Sequence, residues 1–453
     1  MMKNKIKIYF LSLFALVFTS CSDYVDGLDK SPNLPTDVPI KLLLPSTQAS
    51  TFSSYTGQLA RMASVFTQQS TGRLFQYESL QIFDFNENDV DNDWGQLYNR
   101  GLINAQLIID KAGDKNPHVR GMARVLKAMN LALATDYWGD VPNKEALKGL
   151  SGSFNSAFDS QESVYADVQS LLDQAIVDLS NANDVPDEIK AADYIYGGDA
   201  KSWIVAAHLL KARYANRLSK KDAAGSATKA LASVSAAIAA GANGSNDMYA
   251  KFGTAATELN QWFSFNNDRA GYMTMGGKLI GLMNASGDPR TSFYATLDKG
   301  VYSDLSSIGA KYGSADSPLP LVTLVEGGFI AAEANLRLGN MPAAVDAYNA
   351  AVSGHVKIVT GKDIEDPFKS SVLIPTGGTL TMEKLMDQKY IAMFTQPEVW
   401  ADYRRTGLPA LPTPSGAVVA GIPQRLPTAQ SERLYNSKAV VVSDLLKKLW
   451  FAE

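Results

Sequence analysis

The chain has 453 residues, 46% hydrophobic and 19% charged, enough for two ordinary domains or one large helical one. A formal net charge of −4 with no basic cluster argues against a nucleic-acid partner. Cys21 is the sole cysteine, which leaves no disulfide within the chain.

The chain begins with Lys3, Lys5 and Lys7, followed by an apolar run from Ile8 to Phe18 broken only by Ser12. That run is too short to span a bilayer and has the length of a signal-peptide core. Thr19, Ser20 and Cys21 follow. The pattern resembles the lipobox of bacterial lipoproteins, with Phe18 where Leu, Val or Ile is usual. The resemblance implies a signal peptide over residues 1–20 and lipidation of Cys21, and removal of the signal takes the charge to −7. Asp23 and Asp26 resemble the surface-export signal of Bacteroidetes lipoproteins. Residues 21–40, rich in proline and acidic breakers, read as an extended tether, and residues 41–453 as one domain.

Residues 40–70 read as one or two helices interrupted at Pro45. Residues 71–93 lose the helical period and have loop composition. Helices are then expected over 94–112, 118–137, 162–179, 201–219 and 223–240, the second stopped by Gly139 and Pro142. Residues 241–320 are the least regular part. Residues 321–353 read as two helices joined at Leu338–Pro342, with Ala344, Tyr348 and Ala351 spaced as in a tetratricopeptide repeat. Trp203, Ala206, Ala207 and Leu210 supply the complementary half of such a unit. Pairs of this kind stack because neither helix buries its apolar face alone. Residues 382–406 read as helix broken near Pro397, residues 408–427 as coil with five prolines, and Ser443–Phe451 as a short terminal helix docked through Leu449, Trp450 and Phe451.

Five pieces in this order carry a wider resemblance: the lipobox, Asp136–Pro142 (DYWGDVP), the repeat-like GGFIAAEANLRLGNMPAAVDAYNAAV, the stretch MDQKYIAMFTQPEVWADYRRTGLP, and Ile422–Asn436. Together they resemble the SusD/RagB family of outer-membrane nutrient-binding lipoproteins. Gln424 and Leu426 depart from the family's usual C-terminal segment. The resemblance implies an all-α fold, with tetratricopeptide-like helical pairs packed against an irregular loop-rich ligand-binding lobe. It also implies a SusC-like TonB-dependent barrel as partner and an oligosaccharide or polysaccharide as ligand, with a peptide ligand or a ligand-free helical scaffold as alternatives.

Signs of catalysis are few. His118, His208 and His355 are isolated, and no metal-ligand spacing or nucleophile motif occurs. His208 reads as a core histidine. Asp89, Asp91 and Asp93 imitate the start of a calcium loop, but Trp94 stands where glycine is required. No enzymatic activity, cofactor or metal is therefore expected. A sugar ring needs only an aromatic face and hydrogen-bonding groups at its edge. Aromatics in polar loops are the candidates. One stretch offers Phe75, Tyr77, Phe83 and Phe85 beside Asn86, Asn88 and Asp91, followed by Trp94. The other offers Trp262, Phe263, Phe265 and Tyr272 beside Asn266, Asn267 and Arg269.

Overall fold

The computed structural model describes residues 37–182 and 184–453. The expected signal peptide, Cys21 and the tether up to residue 36 lie outside the described residues.

Helix α1 (Ile40–Thr56) runs through Pro45. Proline there removes one hydrogen bond and does not break the helix, contrary to the expectation. The break comes at Gly57, whose backbone is non-helical. A Cβ at that position would lie 2.3 Å from the Ser53 carbonyl oxygen, so only glycine fits. After the break come α2 (Gln58–Phe66) and strand β1 (Ser70–Gly72). The expected loop 71–93 contains one short helix, α3 (Gln76–Gln81). Helices α4 (Asp91–Gln96) and α5 (Ile103–Ala112) are joined by a π-helical turn over Leu97–Leu102. That turn brings Gly101 against the Asn130 side chain, where a Cβ would lie 2.6 Å from Oδ1.

The long helices follow: α6 (Pro117–Trp138), α7 (Gln161–Leu179), short α8 (Asp187–Ala192), α9 (Ala200–Arg217) and α10 (Ala223–Ala239). Side-chain oxygens of Ser160, Asp199 and Asp222 cap α7, α9 and α10, satisfying amides the first turn leaves free. The irregular region holds α11 (Gln261–Asp268), α12 (Gly277–Ser286), α13 (Thr291–Tyr294) and α14 (Ala310–Gly313). The repeat-like pair is α15 (Leu324–Arg337) and α16 (Met341–Thr360), followed by α17 (Phe368–Val372), α18 (Met382–Ala392), α19 (Glu398–Thr406) and α20 (Gln430–Tyr435). The expected terminal helix is absent: only Trp450–Ala452 forms a 3₁₀ turn. Leu449 and Phe451 are nevertheless buried, with Phe451 edge-on to Tyr165 at 6.3 Å.

Helices α5, α6, α7, α9, α10, α15 and α16 stack in that order, each against the next. Trp203, Ala206, Ala207 and Leu210 are buried in this stack. Gly328 explains its own small size: a Cβ there would lie 3.0 Å from that of Ala351, so glycine lets α15 and α16 approach closely. The chain is thus all-α, with tetratricopeptide-like pairs on one side. The other side is an irregular lobe, and among the described residues three antiparallel two-stranded ribbons occur: β1 with β5 (Met273–Met275), β2 (Val141–Pro142) with β3 (Phe158–Asp159), and β4 (Met248–Ala250) with β6 (Leu319–Val322). One apolar cluster reaches from Leu43 to Ala429 and joins the two sides. Among the described residues, no helix is long and apolar enough to cross a membrane.

Buried charges tie the stack to the C-terminal segments. Arg213 forks onto Glu326, Arg217 onto Glu398, and Arg405 onto Glu333 while also reaching Asp402. Burial alone would raise the Asp402 carboxyl, but Lys389 and Arg405 outweigh it and hold its pKa down at about 2. Trp400 donates from Nε1 to Pro423 O at 2.9 Å, and Leu426 donates to Tyr137 O at 2.8 Å. The proline-rich coil is pinned at these points.

Candidate functional site

Two aromatic stretches far apart in sequence meet because β1 pairs with β5. The register is Ser70 with Met275, Thr71 with Thr274 and Gly72 with Met273. One residue beyond, Arg73 donates its backbone N–H to Tyr272 O at 2.8 Å. Gly276 permits the close approach of the two strands, and Gly72 lets the end of β1 pack against α3. A Cβ on Gly72 would lie 1.8 Å from Tyr77 O, and one on Gly276 would lie 1.9 Å from Gln68 O.

The result is a ladder of rings from core to solvent. Tyr77 and Phe265 stand 4.6 Å apart between centroids. The Arg61 guanidinium lies over Phe265 at 4.5 Å and donates from Nε to the Tyr77 hydroxyl at 2.8 Å. Phe265 meets Tyr272 edge to face at 6.4 Å. Tyr272 in turn lies 4.9 Å from Phe75 with their planes 32° apart. Phe75 ends the ladder, 66% exposed. Its backbone has φ 52° and ψ −132°, a region that suits glycine and costs other residues on the order of 1–3 kcal/mol. Exposed Arg269 flanks this shelf, with its guanidinium 5.5 Å from the Phe265 ring. Arg73 pairs with Asp304 at 2.6 Å, fixing the neighbouring loop beside it.

The structure thus brings Phe75, Tyr272 and Arg269 together at the surface, with the Tyr272 amide donating to Arg269 O at 3.1 Å, while exposed Asn267 lies near the end of α11 with Asp268 as its hydrogen-bond partner. Tyr77 and Phe265 are buried beneath them as support. Trp262 is buried against Phe394. Trp94 is buried between Tyr98 and Trp138 and donates to Glu432 Oε1 at 3.2 Å. Phe85 stacks on Phe66 at 5.5 Å, and Phe83 is buried. These four rings pack the lobe onto the body and present no face to a ligand at the shelf. Trp262 and Phe265 belong to α11, a helix that loop-like composition concealed. Leu74, 43% exposed beside Phe75, extends the apolar surface and was absent from the sequence candidates. No sequence signal singles out one exposed leucine.

Asp89 and Asp91 are spent on structure, and the Asp93 Oδ2 is buried without a hydrogen-bond partner among the described residues. Asp89 accepts from the Asn86 amide and Asp91 from the Ser431 amide. Among the described residues, no group of three or more His, Cys, Asp or Glu is placed to hold a metal ion. The histidines are far apart in role: His118 faces Asn181 O at 2.9 Å, His355 is buried against Arg290 at 2.8 Å, and His208 is half-buried.

Comparison with known proteins places this architecture. The SusD-like family model described as "Starch-binding associating with outer membrane" matches residues 32–427. Among solved structures, a SusD/RagB family protein from Bacteroides thetaiotaomicron VPI-5482 is 24% identical, with a TM-score of 0.73 over 92% of this chain and 99% of that one. A chitin-binding protein is 22% identical, with a TM-score of 0.75 over 92% and 100%. A chitin-binding SusD homolog from Flavobacterium johnsoniae is 20% identical, with a TM-score of 0.72 over 90% and 98%. No curated protein matches the sequence.

Proposed function

Because the chain belongs to the SusD-like family of starch-binding proteins that associate with the outer membrane, we propose that it is a glycan-binding surface lipoprotein. On this reading an oligosaccharide is captured on the Phe75–Tyr272 shelf and passed to a SusC-like TonB-dependent barrel. Lipidated Cys21 would hold the protein on the membrane. The observation that carries the reading is the Phe75 ring. It is exposed, lies against Tyr272 at 4.9 Å and is held in a costly backbone conformation that leaves its ring facing solvent rather than the core. A pyranose would lay its apolar face on the rings, while Arg269 would donate to its hydroxyls. The starch-binding description of the family and the chitin-binding names of two structural neighbours support a polysaccharide ligand.

The test is retention of the purified protein on insoluble starch and on chitin, with calorimetric titration of maltoheptaose and chitohexaose. Binding of one series with loss in Tyr272→Ala supports the reading; no retention on any polysaccharide refutes it. Delivery is tested separately by mild-detergent purification from the native outer membrane. Recovery of one barrel in near-equal amount supports the transport role, and recovery without a barrel removes it. Cys21→Ser is expected to release the protein from the membrane fraction.

A further inference from the structure

A cleft lies at the other end of α11 from the shelf. The start of α11, the middle of α1 and the segment after β4 enclose a cleft of about 520 Å³. Phe52 and Phe252 meet there edge to face at 6.4 Å. Tyr194, 57% exposed, adds a third ring. Lys251, Glu258 and Gln261 also line the cleft. Lys251 donates from Nζ to Ile195 O at 2.7 Å, which leaves further protons of its ammonium to offer. The Gln261 amide supplies both a donor and an acceptor.

We propose that this cleft is a second subsite, taking a neutral sugar unit of the same oligosaccharide whose other end stacks on Phe75 and Tyr272. The proposal rests on the glycan reading of the shelf. Three features lead to it. The lining combines ring faces with donors and acceptors, which is what a sugar presents on its apolar face and its edge. Lys251 and Glu258 offset each other, so the cleft does not favour an anionic ligand. Cleft and shelf sit at opposite ends of α11, whose eight residues span about 12 Å at the usual helical rise. A short oligosaccharide therefore reaches one of the two, and a long one reaches both. Linking the two contacts in one molecule makes the second binding event intramolecular and raises affinity.

The experiment is titration of the full-length protein in detergent with maltose and maltoheptaose, and with chitobiose and chitohexaose. For the series that binds, the long member is expected to bind at least about tenfold tighter than the short one, which corresponds to about 1.4 kcal/mol. Tyr194→Ala and Gln261→Ala are expected to abolish most of that ratio, and Tyr272→Ala to weaken long and short members alike. Tyr194 is largely exposed, so its replacement leaves the fold in place, to be checked by the unfolding midpoint. Equal affinity for short and long members, or a length gain untouched by both cleft variants, overturns the second subsite and leaves the shelf reading standing. Absence of binding by every oligosaccharide overturns the glycan reading and the subsite with it.

Discussion

Arg217 in α9 holds Glu398 in α19 through two nitrogens, at 2.8 and 2.6 Å, and both side chains are buried. The same guanidinium reaches Asp136 in α6 at 3.0 Å. Three segments separated by long stretches of chain are thus fixed by one residue. Replacing Arg217 by Met leaves two buried carboxylates without this partner. Breaking a buried pair from one side costs about 3–5 kcal/mol. Arg217→Met is expected to lower the urea unfolding midpoint by a corresponding amount. An unchanged midpoint would mean that Tyr165, which donates to the Asp136 carboxylate, and Arg213, 3.6 Å from Glu398, compensate the two carboxylates instead.

Asp247 gives stability a pH dependence. Its Oδ1 accepts from the Leu324 amide at 2.7 Å at the start of α15, and Oδ2 has no hydrogen-bond partner among the described residues. Burial raises its pKa to about 7, against about 3.9 in an unfolded chain. Between those values the folded protein keeps a proton that the unfolded chain has released. This term therefore lowers stability as pH rises from about 4 to about 7, and the loss is constant above that. Asp247→Asn keeps the acceptor for Leu324 and cannot ionise. The variant is expected to match the wild type near pH 4 and to exceed it at pH 8 by on the order of a few kcal/mol. Urea midpoints at several pH values measure this, and parallel profiles would contradict it.

Much of the fold was legible because the long helices carry an unambiguous apolar period. The α15–α16 pair, the break near Pro397 and the stop at Gly139 stand where the residues put them. The motifs behind the family resemblance prove to be the framework. Asp136, Glu398 and Arg405 sit in buried ion pairs, Arg404 donates to the Asp136 and Gln424 carbonyls, and Trp400 pins the coil at Pro423. Such residues report the fold and say nothing of the ligand. The site was harder to read because it depends on one three-residue ribbon. Only the β1–β5 register brings Phe75 to Tyr272, and strands this short leave little alternation to see. Loop composition also misled. Trp262 and Phe265 lie among asparagines yet face inward from a short helix, since the polar residues occupy its other side. The terminal segment docks as expected but without a helix, because burial of Leu449 and Phe451 does not require one.

Two glycines of α12 and its approach make opposite predictions. Gly281 is exposed within α12, and a Cβ there meets nothing within 4 Å. Gly281→Ala is expected to stabilise the protein by about 0.5–1 kcal/mol. At Gly276 a Cβ would lie 1.9 Å from the Gln68 carbonyl oxygen, and its amide donates to Gln69 O at 2.7 Å. Gly276→Ala must push β1 away from β5, with a cost of at least about 2 kcal/mol. Because that ribbon positions the shelf, sugar binding should fall with it, whereas Gly281→Ala leaves binding intact. Thermal unfolding and titration of the two variants separate these outcomes.

Phe75 joins stability and binding in opposite senses. Its φ of 52° with ψ −132° is a conformation glycine adopts without strain, and at 66% exposure its ring contributes little to the core. Phe75→Gly should relieve about 1 kcal/mol or more of backbone strain, partly offset by the greater entropy of glycine in the unfolded chain. The contact with Tyr272 is also lost, and aromatic pairs are worth about 0.5–1.5 kcal/mol. The net change in stability is therefore expected to be small, within about 1 kcal/mol of zero. Affinity for the bound oligosaccharide is expected to fall about tenfold, the equivalent of about 1.4 kcal/mol. Phe75→Tyr restores a ring at the same strain and should restore binding without raising stability. If Phe75→Gly binds as well as the wild type, the exposed ring is not a ligand platform and its strained backbone serves the loop alone.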